Sequence, residues 1–114
     1  MKDRIKLNHQ FRMVYSRGKC QSAPTLVTYV LPRRNGGVHI GITSGKKIGG
    51  AVVRNRARRV IAAAWRSCQA QLKPDLNAMI VFVARSKTAP AKSTEVAEVM
   101  LKHLKAAGVV GDEQ

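Results

Sequence analysis

The stretch from Ala78 to Ala84 reads Ala-Met-Ile-Val-Phe-Val-Ala, an apolar run that no polar side chain interrupts. Such a run suits a strand buried on both faces, because a strand with one face in solvent alternates apolar and polar residues. Pro74 lies before the run, and Ala89-Pro90 closes the region after it. The sequence therefore predicts a strand inside a sheet.

The longest helical pattern lies just before this strand, over residues 51–72. Apolar residues recur there at steps of three and four, at Val53, Ala57, Val60, Ile61, Ala64, Cys68 and Leu72. At about 100° per residue, the other side of the helix carries Asn55, Arg59 and Arg66, with Arg54, Arg56 and Arg58 on its flanks. We expect the apolar stripe, with Trp65 beside it as a core residue, to pack on the sheet while the arginines face a partner.

Before this helix, the chain predicts a short helix and two strands. Asn8 is a candidate N-cap for a helix over residues 9–17, and residues 25–31 are β-branched and aromatic. Asn35-Gly36-Gly37 then predicts a turn, and the alternating residues after it, 38–43, predict the hairpin partner of the first strand. A third short strand piece is possible in this region.

The last element is a helix that Ser93 or Thr94 caps and that Gly108 ends. The chain as a whole predicts one α+β domain over residues 1–114 with frayed ends and a sheet packed by helices. The predicted order is α-β-β-β-α-β-α.

Charge separates the chain into two parts. The net charge is +15, and 15 of the 21 lysines and arginines fall between Arg4 and Pro74, where no Asp or Glu occurs. This excess predicts a polyanionic partner, and nucleic acid is the natural one. A merely solvated surface would intersperse both signs, and a membrane surface would call for one amphipathic helix with bulky apolar anchors.

Other sequence features point to the cytoplasm and away from catalysis by the protein. We find no secretion signal and no apolar run of about 18 residues, and we expect Cys20 and Cys68 to be buried or partly buried free thiols. The few acids are peripheral, and the three histidines are far apart in sequence. The glycines at 45–50 lack a Walker ending. We therefore predict no catalytic residue, no metal ligand and no obligate protein partner.

Binding chemistry is concentrated in one segment. Arg54-Asn55-Arg56-Ala57-Arg58-Arg59 places four guanidinium groups and an amide near a helix start, and Lys46 and Lys47 precede them. Guanidinium forks and unpaired backbone N–H groups both suit phosphate oxygens. A basic helical turn alone is a weak signal, because many are solvated faces.

The longer segment Gly41-Ile-Thr-Ser-Gly-Lys-Lys-Ile-Gly-Gly-Ala-Val-Val-Arg-Asn-Arg-Ala-Arg-Arg59 resembles the signature of the bacterial ribonuclease P protein family. The similarity extends to Phe11, Val14, Tyr15, Gly18, Tyr29 and the residues 81–85. The chain departs from the family pattern at Ser44-Gly45, where the added glycine suggests a more flexible loop, and at Ala62 and Ala63, where relatives commonly keep another arginine.

The resemblance implies an accessory subunit of an endoribonuclease. In that family the RNA subunit hydrolyses the phosphodiester with Mg²⁺, and the protein binds that RNA and the 5′ leader of precursor tRNA. The residues that would face the RNA subunit are Lys46, Lys47, Arg54, Asn55, Arg56, Arg58 and Arg59. Those that would line the leader cleft are Phe11, Tyr15 and Tyr29, although helical spacing alone favours Phe11 and Tyr15 as core residues.

The resemblance also implies the fold of the second domain of ribosomal protein S5, with a left-handed βαβ crossover where the general rule predicts a right-handed one. Two other functions stay open from the sequence. A structural RNA-binding protein of ribosomal or chaperone type would carry the same charge. An autonomous nuclease would need carboxylates that the basic region lacks.

Overall fold

A computed structural model describes residues 3–5 and 8–111 of the chain. Within these residues three helices and five strands form, in the order β-α-β-β-β-α-β-α. Their bounds are β1 Asp3–Arg4, α1 Asn8–Arg17, β2 Lys19–Ala23, β3 Leu26–Pro32, β4 Val38–Thr43, α2 Ala51–Cys68, β5 Ala78–Ala84 and α3 Ser93–Ala106. The predicted order is thus confirmed, with the two-residue strand β1 in front of it.

The apolar run at Ala78–Ala84 is the central strand of the sheet, as predicted. The strand order is β1-β4-β5-β3-β2, so β5 pairs with a neighbour along each edge. It is parallel to β4 and antiparallel to β3, with Ile80 opposite Ile40 on one side and Val30 on the other. Every residue of β5 except Val83 is buried.

The predicted hairpin between residues 25–31 and 38–43 is wrong. Strand β5 lies between β3 and β4, and the hairpin partner of β3 is β2, which pairs Cys20 with Tyr29. Gly36 and Gly37 do turn the chain, with φ of 94° and 75°, but the turn carries it across the end of β5. Hydrogen bonds from Ala78 N–H to Gly37 O and from Arg33 N–H to Asn77 O hold the crossing.

Helices cover both faces of the sheet. Alternate residues of β5 point to opposite sides, so Ile80 and Phe82 face α2 and α3, whereas Met79 and Val81 face α1. Trp65 is buried as predicted, with its ring centroid 5.6 Å from that of Phe82. The chain therefore has a larger core under α2 and α3 and a smaller one under α1.

Several helix ends differ from the predictions. Helix α2 ends at Cys68, and a 3₁₀ turn at Gln69–Gln71 completes the predicted length. Helix α3 begins at Ser93 itself, since its first hydrogen bonds run to the carbonyl of Lys92, so neither Ser93 nor Thr94 is the N-cap. Gly108 has φ of 77° just after α3, as predicted for a helix end.

Helix α1 begins at Asn8, so this residue belongs to the helix, and the residue before it lies outside the described part. The predicted fraying of the final five or six residues is wrong for the described ones, because Val109 and Val110 are buried and Val110 forms an antiparallel bridge with Leu72. Positions 112–114 lie outside the described part. In the described residues no helix is both long and apolar enough to cross a membrane.

Helix α2 connects the parallel strands β4 and β5. The left-handed sense implied for this crossover stays a prediction.

A buried hydrogen bond fastens α3 to the sheet. His103 Nδ1 lies 2.8 Å from Thr28 Oγ1, and both side chains are buried. Burial lowers the pKa of His103 below its ordinary value of 6.5, because the imidazolium ion loses its hydration there.

We predict that acid weakens this attachment. In the pH range just below 6.5 the unfolded chain binds a proton at His103 more readily than the folded chain, so the free energy of unfolding falls as pH falls. Urea unfolding between about pH 7.5 and about pH 5 measures the effect. The His103→Gln variant should depend less on pH over this range. An identical pH dependence in both proteins would contradict the prediction.

Candidate nucleic-acid interface

A tight turn places the two lysines beside the start of α2. After β4 the chain forms a 3₁₀ turn at Lys46–Ile48, and both lysines are exposed. Gly49 has φ of 144°, a conformation that L side chains rarely adopt, and a Cβ there would lie 3.0 Å from the Cβ of Val53. Gly45 is in an extended conformation open to any residue, so this departure from the family pattern imposes no special backbone geometry.

Two of the arginines bind the protein itself. Arg58 donates one Nη hydrogen bond to Ser44 Oγ at 2.7 Å and another to Asn55 Oδ1. Arg56 donates from Nε to the carbonyl of Ala89 at 2.7 Å. These bonds join α2 to the end of β4 and to the loop after β5. A guanidinium group has five N–H donors, so each of these arginines keeps others for a partner.

Arg54 and Arg59 complete the basic face, which we define as Lys46, Lys47, Arg54, Asn55, Arg56, Arg58 and Arg59. Arg54 is half-buried and Arg59 is exposed. A shallow depression of about 330 Å³ lies between α2 and β4, lined by Ile42, Asn55, Arg58, Arg59 and Ala62. The predicted residues thus lie on one turn and one helix, on a surface without a nearby acid in the sequence.

The three aromatic residues of the predicted cleft lie together on the other face of the sheet. The ring of Tyr15 lies 5.0 Å from that of Tyr29, in an edge-to-face arrangement, and 6.4 Å from that of Phe11. Tyr15 is 39 % exposed, whereas Phe11 and Tyr29 are half-buried against the smaller core. Tyr15 is therefore not a core residue, and the group, which we call the aromatic cleft, leaves ring surface open to a ligand.

A glycine on β4 makes room for Phe11. A Cβ at Gly41 would lie 2.5 Å from one ring carbon of Phe11 and 2.9 Å from another. The ring therefore lies directly over the β4 backbone. The sequence showed Gly41 only as part of the family signature, because this contact joins two elements that are far apart in the chain.

Tyr29 is uncharged in this cleft at neutral pH. Burial raises the pKa of its hydroxyl above the ordinary value of 10.0, and the neighbouring Cys20 and Tyr15 raise the pKa further. The hydroxyl therefore stays a hydrogen-bond donor and adds no negative charge that would repel phosphate. Cys20 is exposed beside it, contrary to the expectation of a buried or partly buried thiol, whereas Cys68 is buried; both cysteines are free.

The end of β4 joins the two surfaces. Tyr15 Oη lies 3.4 Å from Oγ1 of Thr43, the last residue of β4. The next residue, Ser44, accepts the hydrogen bond from Arg58. The aromatic cleft and the basic face therefore meet at Thr43–Ser44. Among residues 3–5 and 8–111, no group of three or more His, Cys, Asp or Glu could hold a metal ion.

Known protein sequences are similar to this chain over most of its length. The sequence model of the family described as Ribonuclease P matches residues 1–108. The ribonuclease P protein component of Clostridium kluyveri is 36% identical over 106 residues, covering 93% of this chain and 95% of that protein. That of Clostridium novyi is 37% identical over 109 residues, covering 94% and 95%.

Solved structures share the fold. The RNase P protein of Staphylococcus aureus matches with a TM-score of 0.79 at 25% identity, over 97% of this chain and all of that one. The RNase P protein of Thermotoga maritima, at 22% identity, matches in fold with a TM-score of 0.76, over 92% of this chain and 97% of that one.

We predict that Gly41→Ala destabilises the protein by roughly 1–3 kcal/mol, because the new methyl group overlaps the Phe11 ring. Urea unfolding measures the cost in the wild-type background and in a Phe11→Ala background, where the methyl group has room. Gly45→Ala is the matched control, since nothing lies within 4 Å of a Cβ at that position. An equal cost of Gly41→Ala in both backgrounds would contradict the contact.

Proposed function

This chain belongs to the ribonuclease P protein family, and we propose that it binds the catalytic RNA subunit through its basic face and the 5′ leader of precursor tRNA through its aromatic cleft. The chain is accordingly the protein component of a tRNA-processing endoribonuclease. The observation that carries the assignment of surfaces is their junction at Thr43–Ser44, which gives two RNA segments adjoining sites on one protein.

The basic face supplies affinity for RNA. Each phosphate that a lysine or arginine neutralises releases condensed counterions, so affinity falls steeply with salt. Arg58 and Arg56 each have one side held by the protein, which fixes the direction of the guanidinium plane before RNA arrives. A side chain that is already ordered loses less entropy on binding.

The aromatic cleft suits a single strand. Stacking of a base on an aromatic ring is worth roughly 1–3 kcal/mol and tolerates any base, because every base has a π-face. Tyr15 has the most exposed ring of the three aromatic residues, and the half-buried Tyr29 packs against it in an edge-to-face arrangement. A site of this kind would accept leaders of varied sequence, as an enzyme that matures many tRNAs requires.

In this proposal the reaction is phosphodiester hydrolysis at an RNA-based active site that uses Mg²⁺. The protein contributes by holding the leader and by placing positive charge near the phosphates, which lowers the magnesium concentration that the reaction needs. The enzyme would act in the cytoplasm, with the RNA subunit and precursor tRNA as partners. The rival function, a structural RNA-binding protein, would use the basic face but would have no use for a cleft that binds leaders.

The central experiment is cleavage of a 5′-extended precursor tRNA at low magnesium by the ribonuclease P RNA of the same genome, with and without this protein. We expect mature 5′ ends only when both components are present, and none with the protein alone. Tight RNA binding without any rescue of cleavage would support the structural RNA-binding function. Cleavage by the protein alone would overturn the assignment of catalysis to the RNA.

We predict that Tyr29→Ala weakens holoenzyme binding of leader-bearing substrate by roughly 1–3 kcal/mol, because a stacking surface is lost. The affinity for tRNA without a leader should not change. Tyr29→Phe is the matched control, since it keeps the ring and removes only the hydroxyl group. Equal losses for the two substrates would rule out the leader role of Tyr29.

A further inference from the structure

Three consecutive apolar residues are exposed at the start of α2. These are Ala51, Val52 and Val53, and the side chain of Val52 is 80 % exposed. Single exposed apolar residues are ordinary, but a run of three is uncommon unless it has a function. The run lies between the turn that carries Lys46 and Lys47 and the first arginine of the helix, Arg54.

The fold accounts for Val53 but not for Val52. Val53 begins the apolar stripe of α2 and packs over Gly49. Val52 points away from the sheet and contributes nothing to either core. A β-branched residue also has a lower helix propensity than alanine, so the fold alone would favour another residue at this position.

Val52 begins a row of RNA-binding candidates. Residues three, four and seven positions further on in a helix share its face, and here these are Asn55, Arg56 and Arg59. Gly50, the residue before the helix, carries no side chain and makes no side-chain cap. A partner can therefore approach the first turn closely, where the exposed Val52 lies between the lysines and the arginines in the sequence.

We propose that Ala51 and Val52 form an apolar contact with the RNA subunit, packing against ribose rings whose flanking phosphates bind the basic face. This inference rests on the proposed function and adds a part of the interface that does not depend on charge. The charge of the surroundings selects RNA as the occupant. A second copy of the chain would bring another acid-free basic face, and the two faces would repel each other.

The experiment measures the dissociation constant for the ribonuclease P RNA of the same genome over a range of salt concentrations. We expect Val52→Ala to weaken binding about tenfold at every salt concentration, because two buried methyl groups are lost. Val52→Thr keeps the shape and should also weaken binding. Arg59→Ala is the comparison, and it should reduce the salt slope by about 0.7–0.9 for one lost phosphate contact.

Misfolding cannot account for a loss of RNA affinity in Val52→Ala, since alanine is the better helix former and an exposed methyl group adds little to the core. Thermal unfolding of each variant checks this directly. Wild-type affinity in Val52→Ala together with a changed slope in Arg59→Ala would overturn this inference alone. Failure of the wild-type protein to bind the RNA would overturn the proposed function instead. Self-association that Val52→Ala abolishes, with RNA affinity unchanged, would make the patch a self-interface and overturn the inference.

Discussion

The burial of β5 on both faces is the constraint on which the rest of the structure depends. A central strand with no polar side chain must be covered above and below, and its backbone must pair along both edges. Helices α2 and α3 cover one face and α1 the other. The two coverings are unequal. The larger core has two helices, whereas α1 alone covers the second face and leaves part of it open beside Tyr15 and Tyr29.

This unequal covering leaves the basic face and the aromatic cleft on opposite sides of the sheet. Helix α2 packs with its apolar stripe on the larger core, so its arginines face outward on that side. The aromatic cleft lies on the opposite side of the sheet, where Phe11 and Tyr15 of α1 meet Tyr29 of β3. The two surfaces meet at the end of β4, where Thr43 contacts Tyr15 of the cleft and Ser44 accepts a hydrogen bond from Arg58 of the basic face. Ser44 thus supplies a hydroxyl group that orients Arg58.

Local sequence patterns predicted the helices and most of the strands, but they could not predict which strands pair across long distances in the chain. The run at Ala78–Ala84 and the stripe of α2 each depend on neighbours in sequence, so both were predictable. The prediction that β4 is the hairpin partner of β3 failed because β5, far along the chain, lies between these two strands and pairs with both. Strand β5 is more fully buried than β4, as the central strand of a sheet is expected to be. Strand β2, Lys-Cys-Gln-Ser-Ala, lies at the sheet edge, where polar residues are tolerated, and its sequence carries no apolar alternation.

The candidate site was likewise predictable only in part. The resemblance predicted which residues bind RNA, and the structure brings these residues onto two adjoining surfaces. The contacts that orient them join remote segments: Arg56 with Ala89, Arg58 with Ser44, and the Phe11 ring with Gly41. No periodicity encodes such contacts. A net charge of +15 would attract any polyanion, since counterion release does not distinguish one phosphate chain from another. In the proposed function, discrimination between RNA and other polyanions comes from groups that act without charge, which are the rings of the cleft and the apolar start of α2.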